Sequence, residues 1–358
     1  MITLNNQEYS KSKLLIQSKK SYKTLWEQAF WNFIKTWLDD KNYIEVKTSG
    51  STGTPKMIRL EKKRMIASAK ATGKFFGLNP NDKALLCLPC DYIAGKMMVV
   101  RAMVLGLDLY LVEPTGNPLA SNLIQNINFQ FGAMIPLQVL NSLENKPTQF
   151  NQIEKVIIGG GVVDNHLLEK LQTTKNQCFA TYGMTETITH VAVKTLNGEN
   201  KSEVYQALEK VDFLQDKRDC LIIDAPYLSD NQIITNDIVK LYSKSSFEWL
   251  GRFDNVINTG GIKVNPEKIE AKLADFIKTE FFIAAEADEK LGEKVVLIIE
   301  KIIEKEGEIN FELLKQQFQT ILSKFEMPKK IYSLPKFERT ETGKIQRKRT
   351  LSLLFNFK

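Results

Sequence analysis

The chain contains few of the residues on which many enzymes base their chemistry. Its 358 residues include four cysteines and two histidines. Cys87 and Cys90 form a C-x-x-C pair, but Cys87 falls in an apolar run, and a zinc site needs about four suitably spaced ligands. No Ser-His-Asp or Cys-His arrangement can be proposed, and His166 falls in a predicted helix. We therefore expect structural thiols, and we expect any catalysis to depend on other groups.

Long apolar runs are also lacking. Residues 1–20 are polar and mixed in charge, unlike a secretory signal peptide. The most apolar stretch, residues 97–112, is interrupted by Arg101 and Asp108, so it is too short and too charged to span a bilayer. These features predict a cytoplasmic protein without stable membrane insertion.

The charge balance is positive, with a formal net charge of +7. One basic cluster is dense, because six of the fifteen residues from Pro335 to Arg349 are lysine or arginine. Such a cluster can bind nucleic acid, but no recognised nucleic-acid motif accompanies it. An anionic small substrate accounts for the excess of positive charge equally well. We therefore expect no nucleic-acid partner. The sequence carries no signal for an oligomeric state.

Strand and helix patterns alternate from residue 83 to residue 182, which is typical of a mostly parallel sheet covered by helices. The predicted strands are Ala84–Leu88, Leu107–Val112, Phe131–Ile135, Lys155–Ile158 and Cys178–Thr181. The helices predicted between them include Ile93–Leu105 and Asp164–Leu171. Residues 219–250 predict a small antiparallel layer, and the remainder predicts a compact α+β unit ending in a basic tail. We therefore predict an α/β protein with a large N-terminal domain, 1–251, and a small α+β domain, 252–358.

A loop rich in glycine and hydroxyl groups is the strongest local signal. It runs Thr48-Ser49-Gly50-Ser51-Thr52-Gly53-Thr54-Pro55-Lys56 and precedes a predicted helix. Small residues let the backbone approach an anion, and consecutive N–H groups can surround phosphate oxygens. Because Lys56 follows a proline, the loop is not of the Walker type. The pattern predicts a phosphate site.

This loop resembles the phosphate-binding signature of the adenylate-forming superfamily, which includes acyl-CoA synthetases, nonribosomal-peptide adenylation domains and firefly luciferase. Further segments resemble the other signatures of the superfamily, in the same order. They are Ile157–Gly161, Tyr182–Thr187, Thr235–Asp237, Gly251–Glu270 and Pro335–Arg347. The resemblance covers the chain from Lys47 to its end. Only 47 residues precede Thr48, so we expect the first subdomain to be reduced.

The resemblance implies a set of ATP-binding residues spread over five segments. The set is Thr48, Ser49, Gly50, Ser51, Thr52, Gly53, Lys56, Gly159, Gly160, Gly161, Tyr182, Gly183, Met184, Asp237 and Arg252. By resemblance, Tyr182 stacks on adenine and Asp237 binds the ribose hydroxyls. Asn236 stands where the superfamily usually has glycine, which is tolerable because asparagine also enters left-handed conformations.

The resemblance also implies how the reaction proceeds. The acid attacks the α-phosphorus of ATP, and preorganised cations and N–H donors stabilise the negative charge of the transition state. Lys344 would bridge the carboxylate and the α-phosphate, Thr185 would contact that phosphate, and Glu186 would bind Mg²⁺. In the second step, the small mobile domain swivels about Asp254 and coenzyme A receives the acyl group. Gly260 and Gly261 then line the thiol tunnel.

The acid pocket is expected around residues 88–101. Tyr92 stands where this segment of the superfamily usually carries a histidine. Arg101 matches the substrate arginine of a ligase whose acid keeps a second carboxylate, and Lys96 lies on the same predicted helix. A helix-surface ion pair is the alternative role for Arg101.

These features predict an enzyme, an acid–thiol ligase that uses ATP, Mg²⁺, a small carboxylic acid and coenzyme A. Three alternatives stay open. The chain could be an aryl- or acyl-CoA ligase with a different pocket, or a stand-alone adenylation domain that loads a carrier protein. It could also be a non-catalytic nucleotide-binding protein, although the presence of Lys344, Glu186 and Asp237 argues against that.

Overall fold

The computed structural model describes residues 1–47, 57–277, 279–300, 311–340 and 345–355. The glycine-rich loop, 48–56, and the segment 341–344 with Lys344 therefore lie outside the described residues. In the part that is described, no helix is both long enough and apolar enough to cross a membrane.

Strands and helices alternate through the first half of the chain, and strands dominate the second half. The strands are β1 (Ile2–Leu4), β2 (Gln7–Tyr9), β3 (Tyr43–Lys47), β4 (Met57–Glu61), β5 (Lys83–Leu86), β6 (Asp108–Leu111), β7 (Phe129–Met134), β8 (Ile153–Ile158), β9 (Gln177–Gly183), β10 (His190–Thr195), β11 (Val204–Ala207), β12 (Asp212–Gln215), β13 (Cys220–Asp224), β14 (Ile233–Ser243), β15 (Ser246–Arg252), β16 (Ile257–Thr259), β17 (Ile262–Val264), β18 (Phe281–Asp288), β19 (Gly292–Glu300) and β20 (Lys330–Leu334). The helices are α1 (Lys11–Gln17), α2 (Leu25–Trp37), α3 (Lys62–Phe76), α4 (Ile93–Leu105), α5 (Pro136–Asn145), α6 (Pro147–Phe150), α7 (Asn165–Leu171), α8 (Pro266–Leu273), α9 (Phe311–Ile321) and α10 (Arg347–Phe355).

One large mixed sheet runs through most of the described chain, in the order β12-β13-β14-β15-β11-β10-β9-β8-β7-β5-β6-β1-β2. Pairing is parallel from β1 through β6, β5, β7 and β8 to β9, as the alternating pattern predicted. From β9 onward it is antiparallel. The antiparallel strands therefore continue the same sheet and are not a separate layer. The change occurs because only a short loop joins β9 to β10, and parallel pairing would need a long crossover.

The helix α4 has the bounds that the sequence predicted. It is apolar on nearly every face, and its side chains from Met97 to Ala102 are all buried. A helix that is apolar all round belongs in the interior of a protein. It ends at Gly106, whose φ of +72° is the left-handed conformation common after a helix. The middle of this helix is thus fully buried.

Gly95 allows α4 to begin against the preceding turn. A Cβ at this position would lie 2.3 Å from the carbonyl oxygen of Pro89 and 2.7 Å from that of Leu88. We expect Gly95→Ala to lower the free energy of unfolding by about 3 kcal/mol, because rigid backbone must move. At Gly106 the nearest atom would be 3.5 Å away, so Gly106→Ala should cost only the strain of positive φ, about 1 kcal/mol. If urea denaturation showed the same loss of unfolding free energy for Gly95→Ala and Gly106→Ala, this explanation would be wrong.

The residues before the glycine-rich loop complete the core. The hairpin of β1 and β2 extends the large sheet beyond β6. The helix α2 buries Phe30, Trp31, Phe33 and Ile34 in the same cluster as α4. The strands β3 and β4 form a second hairpin in which Lys47 pairs with Met57. The two residues that flank the glycine-rich loop are therefore held side by side.

The C-terminal part has its own sheet and its own cores. β15 ends at Arg252 in the large sheet, and β16 begins the five-stranded sheet of β16–β20. The buried hydrophobic clusters divide in the same region, because two of them contain only residues from Ile257 onward. The sequence missed α10, which it predicted as a basic tail. Leu351 and Leu354, three positions apart and next to the basic residues, pack against the buried cluster that contains Phe282 and Phe337.

Candidate active site

Two parallel strands bring the second glycine run and Tyr182 to one edge of the sheet. In β8 and β9, Ile158 pairs with Ala180, so the residues that follow each strand are neighbours. Gly159 has no room for a side chain, because a Cβ would lie 2.4 Å from the Thr181 hydroxyl oxygen. Gly160 has a φ of +78°, which glycine adopts without strain. The edge therefore offers bare backbone beside an aromatic ring.

Asp237 is the acceptor at the centre of this edge. It lies on β14 opposite Arg252 of β15, and it is buried. Its Oδ2 accepts from the Tyr182 hydroxyl at 2.7 Å. Its Oδ1 accepts from Trp249 Nε1 at 3.2 Å and from Arg252 Nη1 at 3.5 Å. Three predicted ATP-binding residues are thus joined, together with Trp249, which the sequence analysis missed.

The ionisation of these groups follows from their surroundings. Burial, together with the neighbouring Asp237 carboxylate, raises the pKa of Tyr182 well above its usual value, so the phenol stays a proton donor. Burial acts to lower the pKa of Arg252, but the carboxylates of Asp237 and Asp254 outweigh it, so the pKa rises. At neutral pH the edge therefore carries a neutral phenol and a charged guanidinium.

We expect Asp237→Ala to lower the free energy of unfolding by about 3 kcal/mol, because it leaves three buried or half-buried donors without their acceptor. Tyr182→Phe removes one donor and leaves the acceptor its other two bonds, so about 1 kcal/mol is expected. Both values can be measured by urea denaturation. If Tyr182→Phe lowered the free energy of unfolding as much as Asp237→Ala, Asp237 would not be the central acceptor of this hydrogen-bonded group.

The loop between β9 and β10 is a tight reversal. The Thr187 hydroxyl accepts from Met184 N at 2.9 Å and donates to the Thr189 carbonyl at 2.7 Å. Ile188, a β-branched residue, has a φ of +68°, which is strained. A Cβ at Gly183 would lie 2.4 Å from the Thr189 carbonyl oxygen. This reversal leaves Thr185 half-buried and Glu186 exposed.

Asn236 has a role that the sequence analysis did not foresee. It lies in the extended strand β14 and not in a left-handed conformation. Its amide donates to both carboxylate oxygens of Asp254, at 3.3 and 3.2 Å, and its oxygen accepts from Arg218 at 3.0 Å. Asp254 also accepts from Arg252 Nη2 at 3.2 Å. The predicted hinge residue is therefore tied directly to strand β14, which carries Asp237.

Arg101 is buried and has no acidic partner among the residues that the structure describes. Only 1% of it is exposed, which shows that the alternative of a helix-surface ion pair is wrong. Nη2 donates to the Thr189 hydroxyl at 3.2 Å and Nη1 to the sulfur of Met98 at 3.5 Å. Nε has no partner. Burial lowers its pKa to about 9, so the guanidinium remains charged at neutral pH.

Lys96 does not share that environment. Five helical positions correspond to a rotation of about 140°, so Lys96 and Arg101 face different sides of α4. The Lys96 ammonium donates to the carbonyls of Cys90 and Asp91, both at 2.6 Å, and burial lowers its pKa. The structure thus separates two residues that we had assigned to one acid. Tyr92 lies beside this turn as the residue that precedes α4.

Gly260 and Gly261 form the turn of the β16–β17 hairpin. Thr259 pairs with Ile262, so the two glycines make up the whole connection. Their φ angles of +60° and +82° are those of a type I′ turn, which favours Gly-Gly. This turn explains both glycines without a ligand, and their contact with coenzyme A stays a prediction.

Lys344 and the glycine-rich loop lie outside the described residues, but the residues that flank Lys344 are placed. Arg339 and Ile345 form an isolated antiparallel bridge. Gln346 N donates to the Glu338 carbonyl at 2.8 Å. Like the glycine-rich loop, the segment that carries Lys344 is closed at its base by paired backbone.

The comparisons identify the class of protein. The family model for AMP-binding enzymes matches residues 11–212, more than half of the chain. The chain therefore belongs to the AMP-binding enzyme family. A similar solved structure is the acyl-CoA synthetase (AMP-forming)/AMP-acid ligase II-like protein of Dyadobacter fermentans. It is 36% identical, with a TM-score of 0.63, and the match covers 97% of this chain and 99% of that chain.

Two further relatives have more specific names. The 2-succinylbenzoate–CoA ligase of Staphylococcus epidermidis is 24% identical over 332 residues, which cover 85% of this chain and 68% of that protein. The o-succinylbenzoate–CoA synthetase of Bacillus subtilis, solved with ATP and magnesium, has a TM-score of 0.70 at 19% identity. That match covers 86% of this chain and 69% of the other chain. The family match and the Dyadobacter fermentans structure confirm the predicted superfamily, and the Bacillus subtilis structure confirms the α/β fold class.

Proposed function

We propose that this chain is an AMP-forming acid–CoA ligase of the cytoplasm. It converts o-succinylbenzoate into the acyl-adenylate and then into o-succinylbenzoyl-CoA, in menaquinone biosynthesis. The observation that carries the choice of acid is Arg101, a buried guanidinium without an acidic partner among the described residues. A free carboxylate of the substrate supplies that partner. The names of the two relatives support the same acid.

ATP binds at the edge formed by the second glycine run and Asp237. The flat adenine lies against the backbone of 159–161 and the ring of Tyr182. Asp237 accepts from the ribose hydroxyls, because a carboxylate has two acceptor oxygens and this one lies beside Tyr182 and Arg252. The hydroxyl-rich loop, Thr48–Lys56, holds the β- and γ-phosphates. These contacts place the α-phosphorus beside the loop between β9 and β10.

Glu186 is the residue that holds Mg²⁺. Its carboxylate is exposed at that loop, free to meet a phosphate-bound ion. Among the described residues, no three acidic, histidine or cysteine side chains converge on a metal site. A single carboxylate suits Mg²⁺, which commonly binds through one or two carboxylates together with phosphates and waters. When bound, the ion supplies positive charge to the pyrophosphate leaving group.

Adenylation requires no general base. A carboxylate oxygen attacks the α-phosphorus, pyrophosphate leaves, and an acyl-phosphate anhydride forms. Negative charge builds on the phosphate and carboxylate oxygens, where Lys344 and the Thr185 hydroxyl stabilise it. The scarcity of histidine is consistent with such a mechanism.

Thioester formation uses a different orientation of the small domain. We place its boundary at 251/252, one residue before β15 of the large sheet ends at Arg252; the second sheet begins at Ile257. Rotation about Asp254 removes Lys344 from the site and brings up the Gly260–Gly261 turn. The thiol of coenzyme A then attacks the acyl carbon, and AMP leaves. The rotation must break or strain the bonds from Asn236 and Arg252 to Asp254.

Pyrophosphate release tests the proposal. Purified protein is given ATP, Mg²⁺ and a panel of aryl and alkyl acids, with coenzyme A or a carrier protein as acceptor. We expect release with o-succinylbenzoate and thioester formation with coenzyme A. Activity with another acid alone would show that o-succinylbenzoate is not the substrate. Transfer to a carrier protein alone would show that coenzyme A is not the acceptor. Binding of ATP without release for any acid would support a non-catalytic protein.

A further inference from the structure

A buried hydroxyl–imidazole–hydroxyl chain lies behind the Arg101 guanidinium. We define the relay as Thr189, His190 and Thr72. The Thr189 hydroxyl accepts from Arg101 Nη2 at 3.2 Å and lies 3.4 Å from His190 Nδ1. His190 Nε2 lies 3.3 Å from the Thr72 hydroxyl. Thr72 is fully buried and His190 is 4% exposed. Sequence analysis singled out only the other histidine, His166.

The direction of each hydrogen bond in the relay follows from its two ends. Thr72 donates its only hydroxyl proton to the Ser68 carbonyl at 3.1 Å, so it can only accept from His190. His190 must therefore carry a proton on Nε2. At the other end, Thr189 accepts from Arg101, so its own proton is available for His190 Nδ1. Nδ1 is then the acceptor, and the imidazole is neutral.

The surroundings favour that neutral state. Burial and the positive charge of Arg101 lower the pKa of His190 well below its usual value. The ring of Phe76 meets the imidazole edge to face, with centroids 6.4 Å apart and planes at 72°, which restricts rotation of the ring. A protonated His190 would lose its acceptor atom and add a second cation beside Arg101.

We infer that Thr189 and His190 are positioning residues, which hold the Arg101 guanidinium in place for the second carboxylate of a diacid. This inference rests on the proposed function. A carboxylate in the place of the relay would also fix the guanidinium, but it would neutralise the charge that recruits the substrate. The neutral relay fixes one Nη and leaves Nε without a protein partner. It therefore orients the cation and keeps its charge for the ligand.

Kinetics with paired acids test the relay. The pair is o-succinylbenzoate and 4-oxo-4-phenylbutanoate, which lacks the ring carboxylate. We expect Thr189→Val to raise the KM for o-succinylbenzoate about tenfold, the value of one hydrogen bond to a charged group, with kcat nearly unchanged. The KM for 4-oxo-4-phenylbutanoate and that for ATP should not change. Thr174→Val is the matched control, since it removes a threonine hydroxyl that accepts from Asn197 and lies outside the relay.

Two substitutions at His190 separate positioning from packing. His190→Phe keeps the volume of the ring and removes both hydrogen bonds, so it should match or exceed the effect of Thr189→Val. His190→Asn retains an acceptor near the position of Nδ1 and should restore part of the affinity for o-succinylbenzoate. If these variants raise the KM of both acids equally, or of neither, the inference is wrong while the proposed function stands. Only wild-type protein that fails to activate o-succinylbenzoate counts against the proposed function itself.

A second measurement does not depend on activity. With two histidines in the chain, nitrogen-15 spectra of histidine-labelled protein contain two imidazoles, and His166→Asn assigns them. We expect His190 to be neutral at pH 7, with its proton on Nε2, and Thr189→Val to shift its Nδ1 resonance. A charged imidazole, or a proton on Nδ1, would overturn the relay whichever acid the enzyme uses.

Discussion

Lys344→Ala should slow acyl-adenylate formation by a factor of about 10² to 10³, the usual effect of removing one donor from a developing anion. Transfer of the acyl group from supplied acyl-adenylate to coenzyme A should proceed at nearly the wild-type rate. The reason is that Lys344 acts only on the charge that builds up during attack on the α-phosphorus. Pyrophosphate release and thioester formation, measured separately, provide the two rates.

Lys348→Ala is the matched control for this experiment. Lys348 lies in the same basic cluster, but it is exposed on α10, four residues from Lys344. We expect the Lys348→Ala variant to carry out both half-reactions at rates close to those of the wild type. If Lys344→Ala impaired both half-reactions equally, the two-state division of labour between the orientations of the small domain would be untenable.

Arg101→Met should have opposite effects on activity and on stability. The KM for o-succinylbenzoate should rise about a hundredfold, because the free carboxylate loses a charged, bidentate partner. The free energy of unfolding should increase by about 2 kcal/mol, because a buried cation without an acidic partner is replaced by an apolar chain of similar length. Urea denaturation without ligands measures the second effect. Few substitutions in a protein interior stabilise it, so the sign is diagnostic.

Lys96→Met is the control, and it should change the free energy of unfolding in the opposite direction. Both residues lie on α4, but the Lys96 ammonium has two carbonyl partners at 2.6 Å, whereas Arg101 has one hydroxyl and one sulfur. Removing Lys96 leaves the Cys90–Asp91 turn without its donor, so we expect destabilisation of about 2 kcal/mol. A stability loss for Arg101→Met like that for Lys96→Met would mean that Arg101 serves the fold and not the substrate.

Both results bear on how a ligase of this family could distinguish acids. A site with an unpaired buried cation rejects monocarboxylates because binding them leaves the cation desolvated and without a partner. The same feature destabilises the free protein, which is a common trade between stability and function. The relay of Thr189, His190 and Thr72 makes this arrangement possible, since it holds the cation without neutralising it.

Much of the fold was readable from short stretches of sequence. The bounds of α4 and the five parallel strands follow from apolar runs separated by turn residues, which are local properties. The Tyr182–Thr187 segment was readable through its resemblance to a superfamily signature. The structure adds that its reversal uses the bare backbone of Gly183 and the buried hydroxyl of Thr187. The helix α10 was missed, because its basic residues obscured two leucines whose partners, Phe282 and Phe337, are distant in sequence.

The sequence by itself determined the class of chemistry, since the order and types of its motif residues match the signatures of the adenylate-forming superfamily. Tertiary structure alone decided the environment of each group. Arg101 was a surface or a substrate residue on sequence grounds, and its burial beside Thr189, 88 positions away, excluded the surface ion pair. Thr72 and His190 meet across 118 positions. Burial and hydrogen-bond partners come from residues far along the chain, and no local pattern encodes them.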